Sequence, residues 1–145
     1  MNKEEYLSIS QNDRQKIMDG IKIILSEDER IIFTYIFGSF LGSPSFRDID
    51  VGVYFNKIVK EEVFDEEIRL SEKIAKKCGL SMDDIDVKIL NFAPSAFLNN
   101  VFRTGEVLFA KNNDLLSRVV ENVSLDAVAN EYISLLSLKE LVPNN

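Results

Sequence analysis

Two short runs of β-branched and aromatic residues, IIFTYIF at 31–37 and DIDVGVYF at 48–55, constrain the fold of this chain more than any other feature. Both have strand length, and both are rich in residues that pack well on a pleated sheet. A loop of Gly, Ser and Pro, GSFLGSPSF, lies between them. Upstream, Ser10 can cap a helix over 11–26, with Asp13 three residues on in the manner of a capping box. Ile17, Ile21, Ile24 and Leu25 fall on one face of that helix. Downstream, a charged amphipathic helix is expected over 60–78, with Phe64, Ile68, Ala75 and Cys78 on its apolar side and Gly79 where it stops. A third strand, DIDVKIL at 84–90, alternates Ile85, Val87 and Ile89 with Asp84, Asp86 and Lys88. Pro94 opens a short helix to 101, EVLFA reads as a short strand at 106–110, and 112–141 reads as helix with a break at Ser124, a good N-cap. The order αββαβ followed by mostly helix predicts an α/β (α+β) fold: a small mixed β-sheet flanked by helices, with a helical C-terminus. No repeat or linker divides the 145 residues, so 1–145 is expected to be a single domain.

Composition narrows the chemistry. With 17 Lys and Arg against 24 Asp and Glu, the net charge is −7, which argues against nucleic acid or an anionic membrane as partner. Histidine is absent, and with it every Ser-His-Asp triad, Cys-His pair and His-ligated metal. The one cysteine, Cys78, makes no intrachain disulfide and no thiolate cage, which fits a cytoplasmic protein. The start, MNKEEYLSIS, has no apolar core of a signal peptide, and no apolar stretch approaches the roughly 20 residues that span a bilayer. Carboxylates, hydroxyls, Lys, Arg, backbone amides and hard metal ions remain.

The segment FGSFLGSPSFRDIDVGVYF, 37–55, gathers those groups. Asp48 and Asp50 stand two apart on a strand and so share one face, while Ile49, Val51 and Val53 point to the other. Gly52 follows on the acids' face and leaves room beside them. Two carboxylates so close repel unless a cation neutralises them, and Mg²⁺ prefers oxygen ligands. Metal ions held this way can clamp a phosphoryl transfer. Gly38 permits close backbone approach, and the Ser39 hydroxyl with nearby amides can hold phosphate oxygens. Asp86 on the third strand can add a carboxylate as metal ligand and proton acceptor. Each part has a bland alternative: an Asp-x-Asp at a solvated strand end, a Gly-Ser that is only a turn, and Asp83, Asp84 and Asp86 at a strand mouth. Their order in one geometry favours function.

That order, YIFGSFLGSPSFRDIDVGVYF, resembles the polymerase-β-type nucleotidyltransferase superfamily, and within it the minimal nucleotidyltransferases of MntA-type antitoxins paired with HEPT-domain proteins. The later stretch IDVKILNFAPSAFLNNVFRTGEVLFAKN, 85–112, is similar to the family's acid-bearing strand, Asn-x-Ala-Pro turn, helix and Gly-x-x-Leu strand, so the resemblance covers about 30–112. It implies the polymerase-β-like fold. Gly38 and Ser39 match the phosphate-side pair, Asp48 and Asp50 the metal-binding pair, and Asp86 the third catalytic carboxylate and metal ligand. Asp84 is its rival, since strand periodicity puts both on one face. The sequence departs from the family in its loop, where Leu41-Gly42 and Arg47 stand in place of Arg-Gly and a Ser before the first Asp. Arg47 can substitute as a phosphate and nucleotide partner, or be a solvent-facing loop residue.

The resemblance implies transfer of AMP from ATP, with Mg²⁺ at a one- or two-metal site, to a Tyr hydroxyl of a HEPT-type helical partner. The chain would then be the antitoxin of a toxin–antitoxin pair, with oligomers possible. Two other readings stay open: a nucleotidyltransferase acting on a small hydroxylated molecule, and a decayed enzyme that neutralises its partner by binding. The aromatic stripe of Phe33, Tyr35, Phe37, Tyr54 and Phe55 reads as core, Cys78 as a small core residue, and Phe92, Phe97 and Phe102 as core ahead of partner surface.

Overall fold

The computed structural model describes residues 7–8, 10–42, 45–46 and 48–141. In chain order these form β1 (Leu7–Ser8), α1 (Gln11–Ser26), β2 (Ile31–Phe37), α2 (Ser39–Gly42), β3 (Ser45–Phe46), β4 (Ile49–Phe55), α3 (Val63–Cys78), β5 (Ile85–Ile89), α4 (Ser95–Thr104), β6 (Glu106–Ala110) and α5 (Asn113–Leu141). Four strands make a mixed sheet in the order β5-β4-β2-β6, in which only β4 and β5 run parallel. β1 and β3 form a separate two-stranded ladder.

β2 is apolar without alternation because it is central and covered on both faces. On one face α1 and α3 pack Ile17, Ile21, Leu25, Leu70 and Ile74 against Ile36, Ile49, Val51 and Val53. On the other, α4 and α5 set Leu98, Val101 and Val123 against Phe33, Tyr35 and Phe37. The aromatic stripe is core as expected: the Phe33 and Tyr54 rings stack with centroids 4.7 Å apart. Ser10 accepts from the Asp13 amide, so α1 starts where its cap predicts.

In helix burial and core packing the structure departs from the sequence reading in four places. The buried stripe of α3 is Leu70, Ser71, Ile74 and Ala75; Phe64, in the first turn, is 69% exposed, and Ile68 is exposed as well. Ser124 does not break the last helix. α5 runs through it, since no Gly or Pro stands nearby to stop it. Phe92 is exposed in the turn after β5, while Phe97 and Phe102 pack against the second core. The space beside Gly52 is filled by Leu90, whose Cγ and Cδ atoms lie 3.1–3.3 Å from where a Cβ would stand.

Candidate functional site

The parallel pairing of β4 with β5 sets the site. Its register places Asp50 opposite Asp86 and Gly52 opposite Lys88, while the antiparallel pairing of β2 with β4 brings Phe37 opposite Asp50. Asp50 and Asp86 thus face each other at the end of the sheet where β2 hands over to the loop. Asp48 is half-buried immediately ahead of β4 rather than within it. Asp84 is off the strand: Ser81 accepts from the Asp83 amide and caps a 3₁₀ turn over Met82–Asp84, so β5 begins only at Ile85. Asp86, and not Asp84, is in register with Asp50.

Gly38 occupies the left-handed region at φ 78°, and a methyl group there would overlap the Asp50 carboxylate at Oδ2. The loop therefore folds back directly onto Asp50. Ser39, exposed, follows as the first residue of α2. Arg47 lies outside the described residues. Sequence reasoning missed Arg14, a buried arginine on α1 that holds this loop from behind. Its Nη1 donates to the Phe40 carbonyl and its guanidinium lies 4.6 Å from the Phe40 ring centroid. Gln11, Arg14, Phe40, Leu41 and Glu106 border a cleft of about 430 Å³ there.

Electrostatics single out Asp50. Burial pushes its carboxyl up, and the charges of Asp86 and then Asp48 push it further against the pull of Lys88. An Asp50–Asp86 hydrogen bond adds to the rise, and the carboxyl sits at about 6. Lys88 is a second residue the sequence reading left out. Its Nζ is 3.7 Å from Asp86 Oδ1, both side chains are about half exposed, and the strand alternation that placed Asp86 already placed Lys88 on the same face. Among the described residues no three acids form a ready-made metal cage. The donor set nevertheless suits a hard divalent cation: the acids are all carboxylates, and Asp50 is held toward its neutral form by burial and then by its acidic neighbours. No helix among the described residues is long and apolar enough to cross a membrane.

Comparison with known proteins follows the same lines. The family model for polymerase beta nucleotidyltransferases matches residues 19–114. No curated protein matches the chain. Among solved structures, the chain is similar to one in the complex of a tri-AMPylated Shewanella oneidensis HEPN toxin with its MNT antitoxin. The TM-score there is 0.61 at 18% identity, over 89% of this chain and 99% of the other. It is similar also to a chain of a toxin–antitoxin complex with AMP-PNP, with TM-score 0.62 at 19% identity over 86% and 98% of the two chains. A chain of the MntA–HepT toxin–antitoxin structure matches at 0.52, with 18% identity over 90% and 93%. At these identities the likeness is one of fold.

Proposed function

The chain belongs to the polymerase-β nucleotidyltransferase family, and from that premise we propose that it transfers AMP from ATP to a hydroxyl of a partner protein, as the antitoxin of a HEPT-type pair in the cytoplasm. The single observation that carries this reading is Asp50 facing Asp86 across β4 and β5, directly behind the left-handed turn at Gly38. AMP-PNP in one similar complex and an AMPylated toxin in another support ATP as the nucleotide and a protein as the acceptor.

The roles follow from position. Gly38 exposes the backbone to the triphosphate, and Ser39 donates to a phosphate oxygen. Asp48, Asp50 and Asp86 would hold Mg²⁺, which when bound neutralises their charges and the phosphates' and polarises the phosphorus under attack. Asp86 accepts the proton of the acceptor hydroxyl. The hydroxyl oxygen bonds to the α-phosphorus, the bond from that phosphorus to the bridging oxygen breaks, and pyrophosphate leaves. Arg47, which precedes Asp48 in the sequence, is proposed as a partner of the nucleotide phosphates.

The test is ATP labelled at the α-phosphate, incubated with Mg²⁺, the protein and a lysate of its source cells. The Asp48→Asn/Asp50→Asn double variant runs beside it. The expected result is one labelled protein band that needs both acids, with the modified hydroxyl located by mass spectrometry. Label on small molecules alone would overturn the protein acceptor. No label with any of the four nucleotides would overturn the transferase reading and leave binding alone.

A further inference from the structure

Helix α5 changes face along its length. Its first turns lay Leu116, Val119 and Val123 against the body, within the second core. Beyond Val123 no described residue of the helix is buried, and the segment runs on to Leu141 as an arm. The arm is not polar. Leu125, Val128, Tyr132 and Leu135 are each 59–65% exposed. At 3.6 residues per turn these four lie about half a turn away from the stripe of Leu116, Val119 and Val123. The side that carries these four therefore points away from the chain's own domain, while Ile133, Leu136 and Leu138 are exposed on the arm's flanks.

The spacing and charges on that side say what can cover it. Glu121, Leu125, Val128, Tyr132, Leu135 and Lys139 follow one another in alternating steps of four and three, the a/d pattern of a coiled-coil seam. The pattern is complementary to its own reverse. Laid antiparallel on a second copy about a two-fold axis, Leu125 meets Leu135 and Val128 meets Tyr132. Glu121 at one end of the apolar stretch meets Lys139 at the other, twice. A parallel pair would instead set Glu121 against Glu121 and Lys139 against Lys139. The area is sufficient. The exposed apolar side chains of the arm offer on the order of 500 Å² per copy, so that a pair removes about 1,000 Å², the lower bound of a specific interface.

We propose that the arm of α5 is a self-association surface, through which two copies of this chain pair as an antiparallel two-helix coiled coil with Glu121–Lys139 ion pairs closing both ends. This surface is independent of the transferase reading, since none of its residues lies in the acid cluster.

The experiment is sedimentation equilibrium of the full chain from about 1 to 100 µM, with far-UV circular dichroism as the control for folding. The wild type is expected to dimerise. Glu121→Lys and Lys139→Glu, each alone, should weaken the dimer roughly tenfold by turning two attractions into two repulsions. An equimolar mixture of the two variants should restore it, because each new charge then meets its opposite. Leu125→Glu/Leu135→Glu should abolish the dimer with helix content kept. A wild type that stays monomeric at 100 µM overturns the proposal, including where a different protein is found covering the arm. A wild-type dimer indifferent to the charge swaps overturns it as well.

Discussion

Burial and two neighbouring carboxylates make Asp50 easier to protonate in the fold than in the unfolded chain. Its folded pKa is pushed up to about 6, against an ordinary 3.8. A raised acid contributes its full stability below the unfolded pKa and loses it as pH rises through the folded one. Asp50→Asn should therefore match the wild type near pH 4 and become more stable between pH 4 and 7. The gap should level off at about 1–2 kcal/mol once the partial exposure of the group is allowed for. Urea unfolding of both proteins across that range checks it, and a constant difference would show that Asp50 does not titrate in this window. Its neighbour Gly38 answers to a different constraint. Gly38→Ala places a Cβ in the left-handed region and against Asp50 Oδ2, and should cost about 1–2 kcal/mol by denaturation together with most of any AMP transfer. The pairing of Asp50 with Asp86 shows where the sequence stops being informative. Period-2 alternation puts Asp84 and Asp86 on one face, and nothing in the strand pattern separates them. What does is a local hydrogen bond, Ser81 accepting from the Asp83 amide, which winds Asp84 into a turn before the strand begins. The same alternation places Lys88 on that face, but a lysine on a half-exposed strand carries no signal of its own.

At the scale of elements, the strands were legible because their signal is local and dense: IIFTYIF allows little else than a central strand. Helix faces were less so. The apolar positions of α3 suggested Phe64 and Ile68, but the helix becomes buried only at Leu70, and where a helix meets its sheet is a tertiary fact. Ser124 had the chemistry of a cap but sits mid-helix, where the propensity of its neighbours to continue wins. Nor does the sequence reveal how the edge strand β5 is protected. Glu67 Oε2 accepts from the Ile89 amide at 2.9 Å, satisfying an outward backbone donor. Just beyond, the Asn91 side chain takes both backbone groups of Phe55, each at 2.9 Å, and prolongs the ladder past the end of β5. Glu67→Ala should cost about 1–2 kcal/mol, the penalty of a donor left without its charged acceptor, and speed hydrogen exchange at Ile89 more than at Val87. Equal acceleration at both amides would mean that Glu67 stabilises α3 rather than the edge.

For the molecule as a whole, stability and assembly are carried by different parts. The sheet with its four covering helices holds both cores, and among the described residues Val123 is the last that is buried. A cluster of Asp28, Arg30, Glu66 and Arg69 binds the turn before β2 to α3, with the Arg69–Glu66 contact at 2.6 Å. From Val128 to Lys139 every residue is exposed, so deleting the segment after Ala127 should remove little of the body's own free energy of folding. If the arm pairs with a second copy, however, the full chain gains stability by mass action. Its denaturation midpoint then rises with concentration, by a stability of about 0.7 kcal/mol per chain (about 1.4 kcal/mol per dimer) for each tenfold increase above the dissociation constant. The chain ended at Ala127 should show one midpoint at every concentration, coinciding with the full chain's value at high dilution. Urea titrations of the two proteins at 1, 10 and 100 µM distinguish the cases. Parallel rises in both would place the interface on the body. A truncated chain far less stable even at 1 µM would mean that the arm braces its own domain.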